Sequence, residues 1–133
     1  MAMTGGCQCG AVRYEAEGEP IGHALCHCEG CRASAGAPAV AWMMFAEDAV
    51  KITKGELKIY NSSGAAHRHF CADCGTGVLY TNAENLPGLV DIQSATLDDA
   101  ADHPPGAQIQ VAERLSYMAE LHTLHAFDRY PEE

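Results

Sequence analysis

Cys26-His27-Cys28-Glu29-Gly30-Cys31-Arg32 places three thiols within six residues, at C-x-C-x-x-C spacing. The other four cysteines form two short pairs, Cys7-x-Cys9 and Cys71-x-x-Cys74. Thiols so spaced are metal ligands, and zinc binds their sulfurs at about 2.3 Å in a tetrahedron. The two pairs together close a four-ligand structural site. The triplet supplies three ligands and leaves one position for chemistry. Seven is also an odd number, which a closed disulfide framework would not leave.

Other readings stand beside these. Cys71 and Cys74 have the spacing of a thioredoxin-type redox pair, but such a pair opens a helix after a strand. Here Gly75-Thr76-Gly77 and a β-type run follow instead. The triplet has three readings. His23, His67 or His69 could complete a closed Cys₃His site, or the thiolates could hold an iron–sulfur cluster. In the third reading an open zinc position takes an external thiol and ionises it. His27, between two ligand cysteines, either supports the site as a proton shuttle or points away from it, as alternation along an extended segment requires.

The elements that must position these residues are mostly strands. In Cys7-Gln8-Cys9 an extended backbone would aim both sulfurs the same way, and Gly10 gives the chain room to leave. Val12, Tyr14 and Ala16 alternate with Arg13, Glu15 and Glu17, the pattern of a half-buried strand over 11–17. The small residues of 33–38 read as loop with at most one helical turn. Residues 39–45 form a short apolar run read as a buried strand, with Trp42 in the core. Residues 49–53 and 57–61 read as a hairpin around Lys54-Gly55-Glu56. Further strands are expected over 78–81, 89–95 and 109–112. The pattern over 115–124 is weakly helical, and His122 and His125 in this stretch read as an exposed pair. The end, Pro131-Glu132-Glu133, is expected to fray.

The chain has 133 residues, 47% of them hydrophobic, which fits one globular domain spanning 1–133. Its formal charge of −10 argues against a phosphate backbone as partner, and any anionic ligand needs a local basic patch. No apolar run approaches the roughly 20 residues that span a membrane. The N-terminus lacks the basic and apolar regions of a signal peptide, so a reducing cytoplasmic compartment is expected.

Three blocks carry a family resemblance. Gly6-Cys7-Gln8-Cys9-Gly10-Ala11-Val12-Arg13-Tyr14, the triplet block through Arg32, and Arg68-His69-Phe70-Cys71-Ala72-Asp73-Cys74-Gly75 resemble the glutathione-dependent formaldehyde-activating enzymes, a family that includes centromere protein V. The resemblance covers residues 5–113. It implies a mainly β, Mss4-like fold of several coiled sheets around zinc sites. It implies two Zn²⁺ per chain, a structural one on Cys7, Cys9, Cys71 and Cys74 and a catalytic one on Cys26, Cys28 and Cys31. The implied activity is of the carbon–sulfur lyase type, handling an adduct of a small-molecule thiol and an aldehyde: glutathione and formaldehyde giving S-(hydroxymethyl)glutathione. Glutathione is anionic, and Arg32 and Arg68, beside ligand cysteines, are the first candidates to bind it, with Arg13 third. The alternative function is a non-enzymatic zinc module that binds a protein partner.

Overall fold

The computed structural model describes residues 2–131. In chain order the elements are β1 (Ala2–Gly6), β2 (Arg13–Glu17), β3 (Gly22–Cys26), α1 (Glu29–Ala35), β4 (Val40–Ala46), β5 (Val50–Lys54), β6 (Leu57–Ser63), β7 (Ala66–Cys71), β8 (Gly77–Asn82), β9 (Leu89–Gln93) and β10 (Ala107–Ile109), with short 3₁₀ turns between and after them. The fold is mainly β, as expected. A three-stranded sheet has the order β1-β2-β5, and a seven-stranded sheet the order β10-β3-β4-β9-β8-β7-β6. Pairing is antiparallel except for β10, which lies parallel to β3. Among the described residues no helix is long and apolar enough to cross a membrane.

The alternation in β2 aims Tyr14 and Ala16 into the main core. They meet Met43 and Phe45 of β4, Val78 and Leu79 of β8, Val90 and Ile92 of β9, and Leu97. Each large side chain buried there contributes about 1.5–3 kcal/mol. The two sheets are therefore held face to face by one apolar layer. A polar seam reinforces it: Arg13 and Thr4 both bind the Asp98 carboxylate, and the Asp98 amide donates to Thr4 O.

Several expectations change in the structure. Gly5-Gly6 reads as loose chain, yet it ends strand β1. Glycine is needed because a Cβ on Gly5 would lie 2.5 Å from the Tyr14 hydroxyl, and one on Gly6 2.3 Å from Val12 O. Cys7 to Val12 is a turn rather than an extended segment, closed by Gly10 N donating to Cys7 O. β5 and β6 are not a hairpin. β5 pairs with β2 in the small sheet and β6 with β7 in the large one. Gly55 makes the crossing with φ of +74°, and a Cβ there would meet Ala11 O at 2.2 Å. Residues 21–25 read in sequence only as a lead-in to the triplet, but Gly22–Cys26 forms β3. The last strand lies earlier than 109–112, over Ala107–Ile109, and Val111–Glu113 is a 3₁₀ turn. Residues Ser116–Thr123 are 3₁₀ with a break at Glu120, because no continuous apolar stripe holds them as an α-helix. His122 and His125 are exposed. Glu132 and Glu133, expected to fray, lie outside the described residues.

Asp91 is the one buried acid among the described residues. It lies between Val90 and Ile92 and faces away from the main core, with Met44 and Tyr80 as cross-strand neighbours. Burial pushes its carboxyl up from 3.8 to about 6. Because the folded value is raised, folding favours the protonated form. The resulting penalty is absent below the unfolded value, grows through the window from about 4 to 6, and is complete above it. Asp91→Asn should therefore stabilise the protein at pH 7.5 by about 1–2 kcal/mol, a figure discounted for the solvent the carboxyl still meets. The gain should fall by roughly half at pH 5. Urea unfolding at the two pH values measures it. A gain independent of pH, or none at pH 7.5, would show that Asp91 is not strained by burial.

Candidate metal centres and the adjoining cavity

The β1–β2 turn brings Cys7 and Cys9 to the β7–β8 turn, which carries Cys71 and Cys74. The four sulfurs all lie within 4.8 Å of one another. Cys7 Sγ is 3.6 Å from Cys9 Sγ, and Cys9 Sγ is 3.8 Å from Cys71 Sγ. A tetrahedral zinc with bonds of about 2.3 Å requires sulfur separations of about 3.8 Å, so the donor set fits that ion. Backbone donors support the sulfurs: Val12 N lies 3.2 Å from Cys7 Sγ. Gly75 N donates to Cys71 O, and Gly75 turns the chain back with φ of +83°. Gln8 N donates to Thr76 Oγ1, which locks the two turns together.

Cys26, Cys28 and Cys31 form a second group with sulfurs within 4.8 Å of one another. Cys26 ends β3. Cys28 is the N-cap of α1, its sulfur accepting from Cys31 N at 3.2 Å. The helix thus starts inside the motif, earlier than the single turn expected over 33–38. Cysteine is not a usual cap, so residue type gave no signal for it. Among the described residues no His, Asp or Glu joins this group. His23 is bound to Ser94 Oγ, His67 to Asn61 and Ala65 O, and His69 to Thr81 Oγ1. The chain therefore presents three donors here, a set that also suits zinc.

The protonation of the thiols follows from these contacts. The Thr76 hydroxyl and amide, and then the Cys9 amide, hold Cys74 down at about 5. Burial opposes ionisation of Cys28, but the Cys31 thiol and amide, the Cys26 thiol and the Arg68 charge together carry it below the ordinary value. Burial pushes Cys26 up to about 12 and also raises Cys31. In the quartet Cys7 is also held below the ordinary value, and Cys9, against the lowering bond at Ala11, is pushed up to about 12 chiefly by the Cys7 thiol. In the triplet Cys28 is held below it beside Cys26 and Cys31, which burial raises. A dication among the sulfurs reverses this and favours the ionised form of all of them.

The triplet adjoins a cavity of about 810 Å³ on the face of the large sheet that α1 covers. Gly30 and Ala33 of α1 form one wall, and Trp42, Tyr60 and Phe70 are among the aromatic lining. Its cations are Lys58 and Arg68. Cross-strand register explains them: Lys58 lies opposite Phe70, and Tyr60 opposite Arg68, so all four share a face. The Arg68 guanidinium stacks over Tyr80 at 5.1 Å, with both terminal nitrogens 4.0 Å from Cys31 Sγ. Gly30 of α1 packs beside it, 3.4 Å separating Arg68 Nη2 from where a Cβ would stand. Trp42 packs against Cys26 and Cys31, so it borders the triplet as well as filling core.

The other sequence candidates sit elsewhere. Arg32 does not line this cavity. Its Nε donates to His27 O and its Nη2 to Glu113 O, each at 3.3 Å, on the other flank of α1. Arg13 is spent on Asp98. His27 is 1% exposed and bonded through Nε2 to Gln108 Oε1 at 2.8 Å, on the side away from the cavity. Lys58 was missed by sequence reasoning. Its only signal is its two-residue spacing from Tyr60, which is informative only once β6 is known to pair with β7.

A family model described as glutathione-dependent formaldehyde-activating enzyme matches residues 2–113. A Schizosaccharomyces pombe protein named as a lyase is 36% identical over 83 residues, covering 61% of this chain and 60% of its own length. This chain thus aligns with less than two thirds of that relative. A Halomonas elongata protein named for glutathione-dependent formaldehyde activation is 25% identical over 144 residues, covering 100% of this chain and 91% of its own. A crystal structure of a Rhodobacter sphaeroides protein shares the fold with a TM-score of 0.64 at 24% identity, covering 80% of this chain and 99% of that one. The chain belongs to the glutathione-dependent formaldehyde-activating enzyme family.

Proposed function

We propose that the chain, acting as one domain, joins the thiol of glutathione to formaldehyde where the cavity meets the triplet. The observation that carries this is a three-thiol cluster, without a fourth protein donor among the described residues, beside a cavity with Lys58 and Arg68 in its lining. In the reaction the sulfur forms a bond to the carbonyl carbon. The π pair of the carbonyl moves to oxygen, and the proton lost from sulfur ends on that oxygen as S-(hydroxymethyl)glutathione. Cys26, Cys28 and Cys31 would hold a zinc ion, which supplies Lewis acidity and favours the ionised thiol. Cys7, Cys9, Cys71 and Cys74 would hold a structural one.

The chain's own residues supply binding and orientation. Glutathione carries two carboxylates, and in a chain this acidic only a local cation pair can attract them. Lys58 and Arg68 provide that pair in the cavity, and Arg68 also faces the ligand sulfur Cys31. Trp42 and Phe70 wall the site with apolar surface, which keeps bulk water from the ionised sulfur. The second reading, a zinc module for a protein partner, draws support from a different feature. Ile109, Val111, Tyr117, Leu121, Leu124, Phe127 and Tyr130 are all exposed large hydrophobics near the C-terminus.

Two experiments test the assignment. Adduct formation from glutathione and formaldehyde, followed by proton NMR of the new methylene, should be accelerated by zinc-loaded protein. Lys58→Ala and Arg68→Ala should each raise the glutathione concentration needed by about tenfold or more, the loss expected for one charge-assisted hydrogen bond. Arg32→Ala should leave it within about twofold, since that guanidinium is bound to backbone. No acceleration by the loaded wild type would overturn the enzyme reading in favour of the module.

The second experiment separates the two clusters. The quartet joins the two sheets, so metal-binding energy there is folding energy. Cys74→Ser should give unfolded or insoluble protein. Cys31→Ser should lose the thiol chemistry and keep its strands by circular dichroism. The reverse pattern would exchange the structural and catalytic assignments.

A further inference from the structure

The triplet is local in sequence, yet a distant segment grips it. His27 N donates to Ile109 O at 3.1 Å, and His27 Nε2 donates to Gln108 Oε1 at 2.8 Å. The Glu113 carboxylate accepts from Glu29 N at 2.7 Å, in the first turn of α1. The Glu113 carbonyl accepts from Arg32 Nη2. In register, Ile109 stands beside Cys26 itself. Residues 108–113 therefore reach both ends of the loop that carries the three sulfurs.

This segment is not there to fill the core. All three residues of β10 are exposed, so its pairing with β3 gains little from apolar burial. Gln110 adopts φ of 56° without being glycine, a conformation that surrounding contacts must hold. What the segment offers is donors and acceptors for the triplet loop. The His27 ring is the sensitive point. It is buried, its Nδ1 has no partner, and Gln108 is its one side-chain tether. Without Gln108 both ring nitrogens would be buried unpaired, which drives the ring to move. His27 is the residue between Cys26 and Cys28, so its movement shifts two of the three sulfurs.

We infer that Gln108 and Glu113 are positioning residues for the thiol triplet. They fix His27 and the first turn of α1 so that three sulfurs retain a metal without a fourth protein ligand. A four-ligand site gains this rigidity from its ligands, whereas a three-ligand loop gains it from an outer shell of hydrogen bonds. The inference rests on the reading that the triplet holds zinc.

The test follows zinc release from doubly loaded full-length protein into excess chelator, monitored by native mass spectrometry. Wild type should lose one metal in a fast phase, from the triplet, and the other in a slow phase. Gln108→Leu and Glu113→Ala should each speed the fast phase at least about tenfold and leave the slow phase unchanged. Gln108→Glu keeps an acceptor for His27 and should stay within about threefold of wild type. Unchanged release in both disruptive variants would overturn the inference, as would equal acceleration of both phases, which signals general loosening. Glu113→Ala removes an exposed side chain and keeps the test decisive if Gln108→Leu fails to fold. A wild type that binds one metal and releases it in one phase would refute the triplet–zinc reading itself.

Discussion

Four sulfurs held within 4.8 Å of one another cannot all ionise unless a cation lies among them. That constraint governs the structure, because Cys9, in the β1–β2 turn of the small sheet, and Cys71, at the end of β7 in the large one, are 62 positions apart. The small sheet is anchored to the large one at two places. One is the apolar layer around Tyr14, Ala16, Phe45 and Ile92. The other is the quartet, with its own small cluster of Val12, Cys7 and Cys71. A core of this size leaves a modest margin of stability, so a metal held by the quartet would add folding energy at the second anchor.

The triplet obeys different physics. Its thiols are neighbours in sequence, so a metal there would close no long loop. What distinguishes it is its surroundings: Trp42 against Cys26 and Cys31, Arg68 facing the Cys31 sulfur, and the cavity beyond. The cationic pair Lys58 and Arg68 stands out against a formal charge of −10. A chain with so few bases concentrates an anion only where two of them meet. Arg68 serves both sides of this arrangement, since its stack on Tyr80 fixes the guanidinium between sulfur and cavity.

The division of the seven cysteines into four and three was legible because ligand spacing is a local property. The strands over β2, β4 and β8 were legible for the same reason, since alternation and apolar runs lie within one segment. What failed depended on distant contacts. Gly5-Gly6 carries no strand propensity and becomes a strand by pairing with Tyr14 and Arg13 of β2, at an approach too close for a Cβ. β5 and β6 alternate like a hairpin, and only the crossing at Gly55 assigns them to different sheets. Lys58 acquires its meaning from that crossing. Arg32 looked like a substrate contact because it adjoins Cys31, but one helical turn points it to Glu113 instead. Adjacency in sequence anticipated which thiols cluster, but not which cations line the cavity beside them.

The central claim is that the chain carries two metal sites of different character, one for the fold and one for chemistry. Its most direct test is the mass of the native protein after expression with zinc and desalting. Two zinc ions per chain are expected, with all seven thiols protected from alkylation until the metals are removed. A single zinc with three freely reactive cysteines, or an iron-containing chain, would contradict it.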